Sequence, residues 1–250
     1  MLNAQDMVIF DIGANDGSSC SHFADDPRNV VYTFEPTPHL LETYLYPKQK
    51  ENYKVFPIAV SDFDGKATFN IAGQENWGCS SLNNFSKGLE NTWPGRTGFK
   101  VTQSIEVDVI RMDAFLDAQE ITQIDFLHCD VQGSDLKVLK SFGKYINILK
   151  EGEVEAFKQN PLYEESDNSI ESMSLFLSEN DFEIIETTPN DSHHNEFNIK
   201  FRKNEIEANK AVELHYRRCA SVKPVCANEI KSIAEFCEKR ERWAAGRRNG

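Results

Sequence analysis

The sequence predicts an α/β protein with a doubly wound, seven-stranded, mostly parallel sheet, one antiparallel strand and a C-terminal helical tail. Short runs of β-branched and aromatic residues recur along the chain without strict polar alternation, as in strands buried on both faces of a parallel sheet. Stretches with helical spacing separate most of these runs. Alternating strands and helices are typical of right-handed β-α-β units.

Seven runs are predicted to be strands. Only TTPNDSHHN separates the last two, which favours a hairpin and so places one antiparallel strand in the sheet. The predicted strands are MVIFDI at 7–12, VVYTFEP at 30–36, YKVFPIAVSD at 53–62, IDFLHCDV at 124–131, a strand within 146–157, FEIIETTP at 182–189 and EFNIKFRK at 196–203.

Helices are predicted between several of these strands. The predicted helices cover about residues 38–49, 134–146 and 169–182. In the first, Leu40, Leu41, Tyr44 and Leu45 are expected on one face. In the second, Asp135 lies in the first turn, where the helix dipole favours a carboxylate, and helix capping therefore accounts for it.

Residues 73–104 interrupt this pattern and are rich in Gly, Asn and Ser. A loop of this length in a compact domain is usually functional or disordered. Two tryptophans lie in it, Trp77 and Trp93. They could stack on a sugar face or anchor a mobile loop, and the sequence favours neither.

The last segment differs in charge from the rest of the chain. Residues 210–250 contain ten Lys and Arg but five Asp and Glu, whereas the whole chain has a net charge of −13. Ile230, Ile233, Ala234 and Cys237 fall on one helical face. We therefore predict a domain at 1–203 and a basic, largely helical extension at 204–250. The extension is expected to dock on the body, with a homodimer interface or an anionic partner as alternatives.

The composition argues against several classes of protein. An acidic chain lacks the basic surface that a general nucleic-acid binder needs. No segment has the roughly 20 apolar residues of a membrane span, and no signal peptide is evident, so a cytoplasmic protein is expected. The six cysteines form no CxxC pair, which argues against a zinc ribbon; reduced thiols are favoured over a disulfide in the tail.

The stretch FDIGANDGSS follows the first predicted strand and indicates a ligand site. Gly13 and Gly17 suit a tight turn and close backbone approach to a ligand. The G-x-G-x-x-G of nicotinamide enzymes is absent, and Asn15 and Asp16 would oppose a pyrophosphate. An acidic loop favours a cationic ligand such as S-adenosylmethionine.

Glu35 ends the second predicted strand, at a spacing typical of an acid that accepts hydrogen bonds from two ribose hydroxyls. The alternative is a purely structural glycine turn with Glu35 as a solvated strand end.

In combination, these motifs resemble the FkbM-type methyltransferases, class I S-adenosylmethionine-dependent enzymes with a Rossmann-like sheet. The similar segments are FDIGANDGSS, TFEPTPHL, PIAVSDFDGKATFNI, SSL at 80–82, VIRMDAFL at 109–116 and IDFLHCDVQGSDLKVLKS. They cover roughly residues 7–157, and the tail has no counterpart.

The resemblance implies a role for each matching position. The residues expected around the methionine moiety are Asp11, Gly13, Asn15, Asp16 and Gly17. Glu35 and Pro36 are expected at the ribose, and Ala59, Val60 and Ser61 at the adenine. Asp130 would lie nearest the methyl group and the acceptor. The chain departs from the family at Gln132, where an acid is usual, and at His128 and Cys129, where Lys and an aliphatic residue are frequent.

The implied reaction is O-methylation of a hydroxyl on a sugar or small metabolite, and an alcohol needs a base. Asp130 is the first candidate. His128 has a suitable ordinary pKa and is expected on the same side of the strand, although it could simply be packed there. His22 is a weaker candidate, and no metal site is expected. The alternative function is a non-catalytic binding or scaffolding module that acts through the basic tail.

Overall fold

The computed structural model describes residues 6–96 and 98–204, which contain ten strands. The strands are β1 (Val8–Ile12), β2 (Val30–Phe34), β3 (Tyr53–Phe56), β4 (Ala59–Val60), β5 (Gly65–Ala72), β6 (Val101–Ile110), β7 (Ile124–Cys129), β8 (Leu149–Phe157), β9 (Phe182–Pro189) and β10 (Glu196–Lys203). Seven of them form one sheet in the order β3-β2-β1-β7-β8-β10-β9. The sheet is parallel except for β10, which pairs antiparallel with β8 and β9. The predicted fold and its terminal hairpin are confirmed.

Helices and turns connect the strands. The α-helices are α1 (Pro38–Leu40), α2 (Leu89–Thr92), α3 (Met112–Gln119), α4 (Asp135–Ser141) and α5 (Ile170–Glu179). The main core lies between the sheet and α3, α4 and α5, and it contains Phe10, Leu127, Leu139, Met173 and Phe201, all fully buried. Two of these helices, α4 and α5, lie within predicted helical stretches, whereas α3 was not predicted as a helix.

The connection after β2 is less regular than predicted. A π-helical turn, Leu41–Leu45, follows α1, and a 3₁₀ turn, Tyr46–Lys48, follows that. Leu40, Leu41 and Leu45 are buried as expected, but Tyr44 is 38% exposed. The expectation that Tyr44 shares the buried face was wrong, because a π turn has more residues per turn than an α-helix and rotates the face.

The predicted strand 53–62 is two strands in two sheets. β3 ends at Phe56, and Pro57 follows, which has no N–H for a sheet ladder. The amide of Ile58 donates to the Phe56 carbonyl at 2.9 Å, which turns the chain. β4 then joins a second sheet of order β4-β6-β5, which the strand prediction did not include.

Much of the predicted loop 73–104 has regular structure. A 3₁₀ turn spans Gln74–Cys79, α2 follows, and residues 101–104 already belong to β6. Trp93 is fully buried, and its Nε1 donates to Asp191 Oδ2 at 2.6 Å. Trp93 therefore anchors this segment and cannot stack on a sugar. Of the two alternatives given for the tryptophans, anchoring is the correct one for Trp93.

Two further expectations concern the described residues only in part. No helix within residues 6–96 and 98–204 is long and apolar enough to cross a membrane. Cys20, Cys79 and Cys129 are free thiols. The predicted amphipathic helix and its docking on the body, with the homodimer, anionic-partner and disulfide alternatives, concern residues beyond 204 and lie outside the described residues.

Candidate active site

The strand ends at the centre of the sheet position a cleft. Ile12 of β1 pairs in register with Phe34 of β2 and with Cys129 of β7, so the three strands end level with one another. The residues just beyond these ends meet at one edge of the sheet, where ligands bind in doubly wound folds. Seven predicted site residues line the cleft: Gly13, Asn15, Glu35, Pro36, Ala59, Val60 and Asp130.

Apolar side chains form one part of this cleft. Phe34, Leu40 and Ile58 contribute to its wall beside β2. Trp77 lines it as well, and the Trp77 ring lies 4.4 Å from the His39 ring, centroid to centroid. Trp77 therefore remains available to contact a ligand, unlike Trp93.

Glu35 is buried at the end of β2 and is 5% exposed. Its Oε1 accepts the Thr37 amide at 2.8 Å, and its Oε2 accepts the Asn15 amide at 3.0 Å. Burial raises the pKa of Glu35 to about 7, although these hydrogen bonds oppose the shift. The alternative of a solvated strand end is wrong. Each carboxylate oxygen keeps a second lone pair, so Glu35 can still accept hydrogen bonds from a ligand.

The two glycines of the first loop are required by packing within the protein. A Cβ at Gly13 would lie 1.9 Å from the Asp130 carbonyl oxygen, and one at Gly17 would lie 2.6 Å from the Tyr53 hydroxyl oxygen. Both glycines also have positive φ, +79° and +76°. The close backbone approach that we attributed to a ligand is therefore, for both glycines, an approach to neighbouring parts of the protein.

Four predicted cofactor residues do not line the cleft: Asp11, which is described below, and Asp16, Gly17 and Ser61. Asp16 Oδ1 accepts the Ser18 amide at 2.9 Å, and the Asp16 carbonyl accepts Lys48 Nζ at 2.6 Å. Hydrogen bonds from the Ser18 side chain and, to a smaller extent, from its amide lower the pKa of Asp16. Gly17 packs against Tyr53, and Ser61 is buried with its amide bonded to the Ile110 carbonyl.

Asp11 and His128 form a buried pair beneath the cleft. They are register partners on β1 and β7, and His128 Nδ1 lies 2.9 Å from Asp11 Oδ1. Burial alone would lower the pKa of His128, but the hydrogen bond and charge of Asp11 outweigh this effect and raise that pKa to about 9. His128 is therefore mostly protonated at neutral pH and is poorly suited to accept a proton.

Cys20 approaches the same pair, and one potential metal-ligand atom from each of Asp11, Cys20 and His128 lies within 4.8 Å of the others. Burial holds the pKa of the Cys20 thiol far above its ordinary value. In this cluster the Oδ1 of Asp11 is used in the hydrogen bond to His128, and the thiol is neutral.

Asp130 lies one residue beyond β7 and lines the cleft. Its Oδ1 accepts Gln132 Nε2 at 2.6 Å. Burial raises the pKa of Asp130 above its ordinary value, and the His128 charge opposes that shift. Among the three base candidates, Asp130, His128 and His22, only Asp130 lines the cleft, and its pKa is raised. His22 lies elsewhere, with its ring 4.3 Å from that of Phe23.

Asp135 is not the helix cap that we expected. The α4 N-cap is Ser134, and its side chain makes no capping hydrogen bond. Asp135 is fully buried; its Oδ1 accepts the Glu155 amide at 3.2 Å, and its Oδ2 accepts Asn168 Nδ2 at 3.3 Å. Its carboxylate therefore joins α4 to β8 and to the segment before α5.

Sequence reasoning missed Tyr163 and Glu155, which lie behind the cleft. Glu155 is 6% exposed on β8, and Gln132 Nε2 donates to its Oε2 at 3.1 Å. Tyr163 OH lies 2.7 Å from Gln132 Oε1. The segment GEVEAF has two acids, Glu153 and Glu155, and the second, between Val154 and Ala156, could have indicated a buried acid, whereas no local pattern indicates Tyr163.

Comparisons with known proteins agree with this geometry. The methyltransferase FkbM domain matches residues 11–184. The 2-O-methyltransferase NoeI of Sinorhizobium fredii is 28% identical over 152 residues, which are 56% of this chain and 58% of NoeI. The chain thus spans about 58% of the length of this relative.

Solved structures with a similar course of the chain have low identity. The fibrillarin pre-rRNA processing protein of Methanococcus jannaschii has a TM-score of 0.43 at 16% identity, covering 81% of this chain and 69% of its own. A precorrin-6y C5,15-methyltransferase from Geobacter metallireducens has a TM-score of 0.41 at 13% identity, with coverages of 81% and 84%. The family match carries the assignment. With its match over residues 11–184, this chain belongs to the methyltransferase FkbM domain family.

Proposed function

We propose that this protein transfers a methyl group from S-adenosylmethionine to a hydroxyl group on a sugar or small metabolite. One observation carries the proposal: Glu35, a buried carboxylate with free lone pairs, shares a cleft with Asp130, a carboxylate whose pKa is raised. An acceptor for ribose hydroxyls and an acceptor for a substrate proton thus open into one cleft.

The residues of the cleft fit this cofactor. Glu35 would accept hydrogen bonds from the two ribose hydroxyls, and Pro36 would shape the exit of β2. Phe34, Ala59 and Val60 would pack against the adenine, since they line the same cleft as Glu35 and offer it apolar surface.

The turn after β1 would hold the methionine moiety. Gly13 and Asn15 line the cleft there, and Asp11 lies beneath them. We assign Asp16, Gly17 and Ser61 an indirect part, in shaping the turn and the strand exit. These three residues are held by contacts within the protein.

Bound S-adenosylmethionine supplies an activated methyl group, so the protein must align the acceptor and remove its proton. Asp130 is proposed as the base. The raised pKa of Asp130 makes it a stronger base than an ordinary aspartate, and Gln132 fixes one of its oxygens. His128, held protonated by Asp11, is proposed to balance negative charge beneath the cleft.

The choice of oxygen as acceptor rests on two supports. The relative NoeI is described as a 2-O-methyltransferase, and 28% of the aligned residues are identical. A carboxylate base at the cleft also suits an alcohol, which has to lose its proton as the new bond forms.

Methyl transfer can be tested directly. We would incubate the protein with S-adenosylmethionine labelled in its methyl group and a panel of sugars and hydroxylated metabolites, and measure label in the products. Asp130→Asn should lower the rate by about 10²-fold or more, because a positioned base contributes that much. Asp108→Asn, at an exposed position on β6, is the matched control.

If the protein binds the cofactor but transfers label to no acceptor, the result would favour the non-catalytic binding module. Equal rates for Asp130→Asn and wild type would instead remove Asp130 from the chemistry while leaving the methyltransferase assignment in place.

A further inference from the structure

Gln132 lines the cleft and separates the carboxyl group of Asp130, which also lines it, from that of Glu155. Its Nε2 donates one hydrogen to Asp130 Oδ1 at 2.6 Å and the other to Glu155 Oε2 at 3.1 Å. Both amide hydrogens are thus used on acids. The second Glu155 oxygen, Oε1, accepts Asn190 Nδ2. Without the amide, the acids of β7 and β8 would face each other in a buried setting, where like charges repel strongly.

Tyr163 fixes the direction in which this amide points. The Tyr163 hydroxyl lies 2.7 Å from Gln132 Oε1 and 2.9 Å from the Cys79 carbonyl oxygen, so its single proton is shared between two acceptors. Burial keeps the pKa of Tyr163 well above its ordinary value, so it remains a donor. Ionised acids only accept hydrogen bonds, so the Gln132 nitrogen faces them and the amide oxygen faces the Tyr163 hydroxyl, whose donated hydrogen bond stabilises this orientation.

The backbone at Gln132 is held just as firmly. Its φ is +59°, which side-chain-bearing residues rarely adopt, and its carbonyl accepts Ser81 Oγ at 2.7 Å. A Cβ at the neighbouring Gly133 would lie 2.6 Å from the Tyr163 ring. A strained, over-determined backbone of this kind is typical of functional sites.

We propose that Gln132, clamped by Tyr163, is a positioning residue that orients the Asp130 carboxylate toward the cleft and sets the pH at which Asp130 can accept a proton. The proposal rests on the proposed function, because it assigns Asp130 the role of base. It extends that function to two residues for which neither the family match nor the sequence indicated this role.

Several other titratable groups interact electrostatically with Asp130. They are Asp11 on β1, His128 on β7, Asp135 on α4, Glu155 on β8 and Glu196 on β10. Burial also raises the pKa values of the Cys79 and Cys129 thiols, which leaves both neutral. His128 is the cation in this set, and Gln132 donates a hydrogen bond to Asp130.

The test needs no methyl acceptor. S-adenosylmethionine carries a sulfonium charge that S-adenosylhomocysteine lacks, so the ratio of their affinities reports negative charge near the methyl position. Ionisation of Asp130 should raise this ratio by about tenfold or more. The titration of groups that affect both ligands equally cancels in the ratio. These groups include Glu35, which would contact the ribose of either ligand, and the α-amino group that both ligands carry.

We would measure both affinities by calorimetry from about pH 5 to 9, for the full chain and for two variants. Gln132→Glu keeps the shape but removes the donor and adds an acid. The pH at which the affinity ratio is halfway through its change should rise by about one to two units, because the lost hydrogen bond to the charged carboxylate has this strength. Tyr163→Phe keeps the ring against Gly133 and should shift the midpoint in the same direction by less.

Gln119→Glu is the matched control, since it adds the same charge at an exposed position before the opposite end of β7. Thermal unfolding of each variant shows whether it is folded. Superimposable curves for wild type, Gln132→Glu and Tyr163→Phe, with both ligands bound, would overturn the proposal. Failure of both ligands to bind wild-type protein would instead contradict the proposed function itself.

Discussion

Cofactor binding should weaken sharply as the pH falls below neutrality, and Glu35 should be the cause. Glu35 is buried at the end of β2, and burial raises its pKa to about 7. A protonated carboxyl group would turn one of its lone pairs into a donor. It could then no longer accept hydrogen bonds from both ribose hydroxyls, so binding requires Glu35 to lose its proton first.

The size of the effect follows from this pKa. When binding requires the ionised form of one group with a pKa of about 7, affinity falls by about 25-fold between pH 7.5 and pH 5.5. The slope approaches about tenfold per pH unit on the acid side and vanishes above about pH 8. An acid with an ordinary pKa of 4.5 would give almost no change over this range.

Calorimetric titration with S-adenosylhomocysteine at several pH values measures this dependence. Glu35→Gln should bind more weakly at neutral pH and should lose the slope, because an amide does not titrate in this range. Glu42→Gln removes an exposed acid nearby and should keep the wild-type slope. An affinity that changes by less than about twofold between pH 7.5 and 5.5 would refute the reasoning about Glu35.

Three further predictions concern folding. Gly13→Ala should lower the free energy of unfolding in urea by more than about 3 kcal/mol, since the new Cβ would lie 1.9 Å from the Asp130 carbonyl oxygen; a loss below about 1 kcal/mol would contradict this packing. Trp93→Phe should cost about 1–3 kcal/mol through its lost bond to Asp191, and S-adenosylhomocysteine affinity should stay within a few-fold of wild type. His128→Asn should be destabilising mainly at low pH. Because the pKa of His128 is raised to about 9, the stability that its charge contributes is complete below about pH 6.5 and is lost as the pH rises through about 9. Thermal unfolding of wild type and variant across this range measures the effect. A difference between their unfolding temperatures that does not change with pH would contradict the ion pair.

The sequence specified the sheet and the cleft through local patterns. Apolar runs located all seven strands of the main sheet, and the spacing from Gly17 to Glu35 identified the acid that ends β2. Such features depend on neighbours along the chain, where periodicity and strand ends are visible. The break at Pro57 was also readable in principle, because proline cannot donate to a sheet ladder.

The network behind the cleft depends instead on tertiary contacts. Tyr163 and Gln132 are 31 residues apart, and only the packing of the segment after β8 brings them together. Asp135 has a typical position for a helix dipole, yet its carboxylate bonds to Glu155 and Asn168. No rule of local spacing specifies such partners. The role of Gln132 therefore became visible only with the fold.

The central claim is that the cleft between Glu35 and Asp130 binds S-adenosylmethionine, and one titration tests it most directly. We would titrate the wild-type chain and Glu35→Ala with S-adenosylhomocysteine at about pH 8, where Glu35 is ionised. We expect affinity on the order of micromolar for wild type and a loss of at least about tenfold in the variant. Equal binding by both folded proteins, or none by wild type, would contradict this claim.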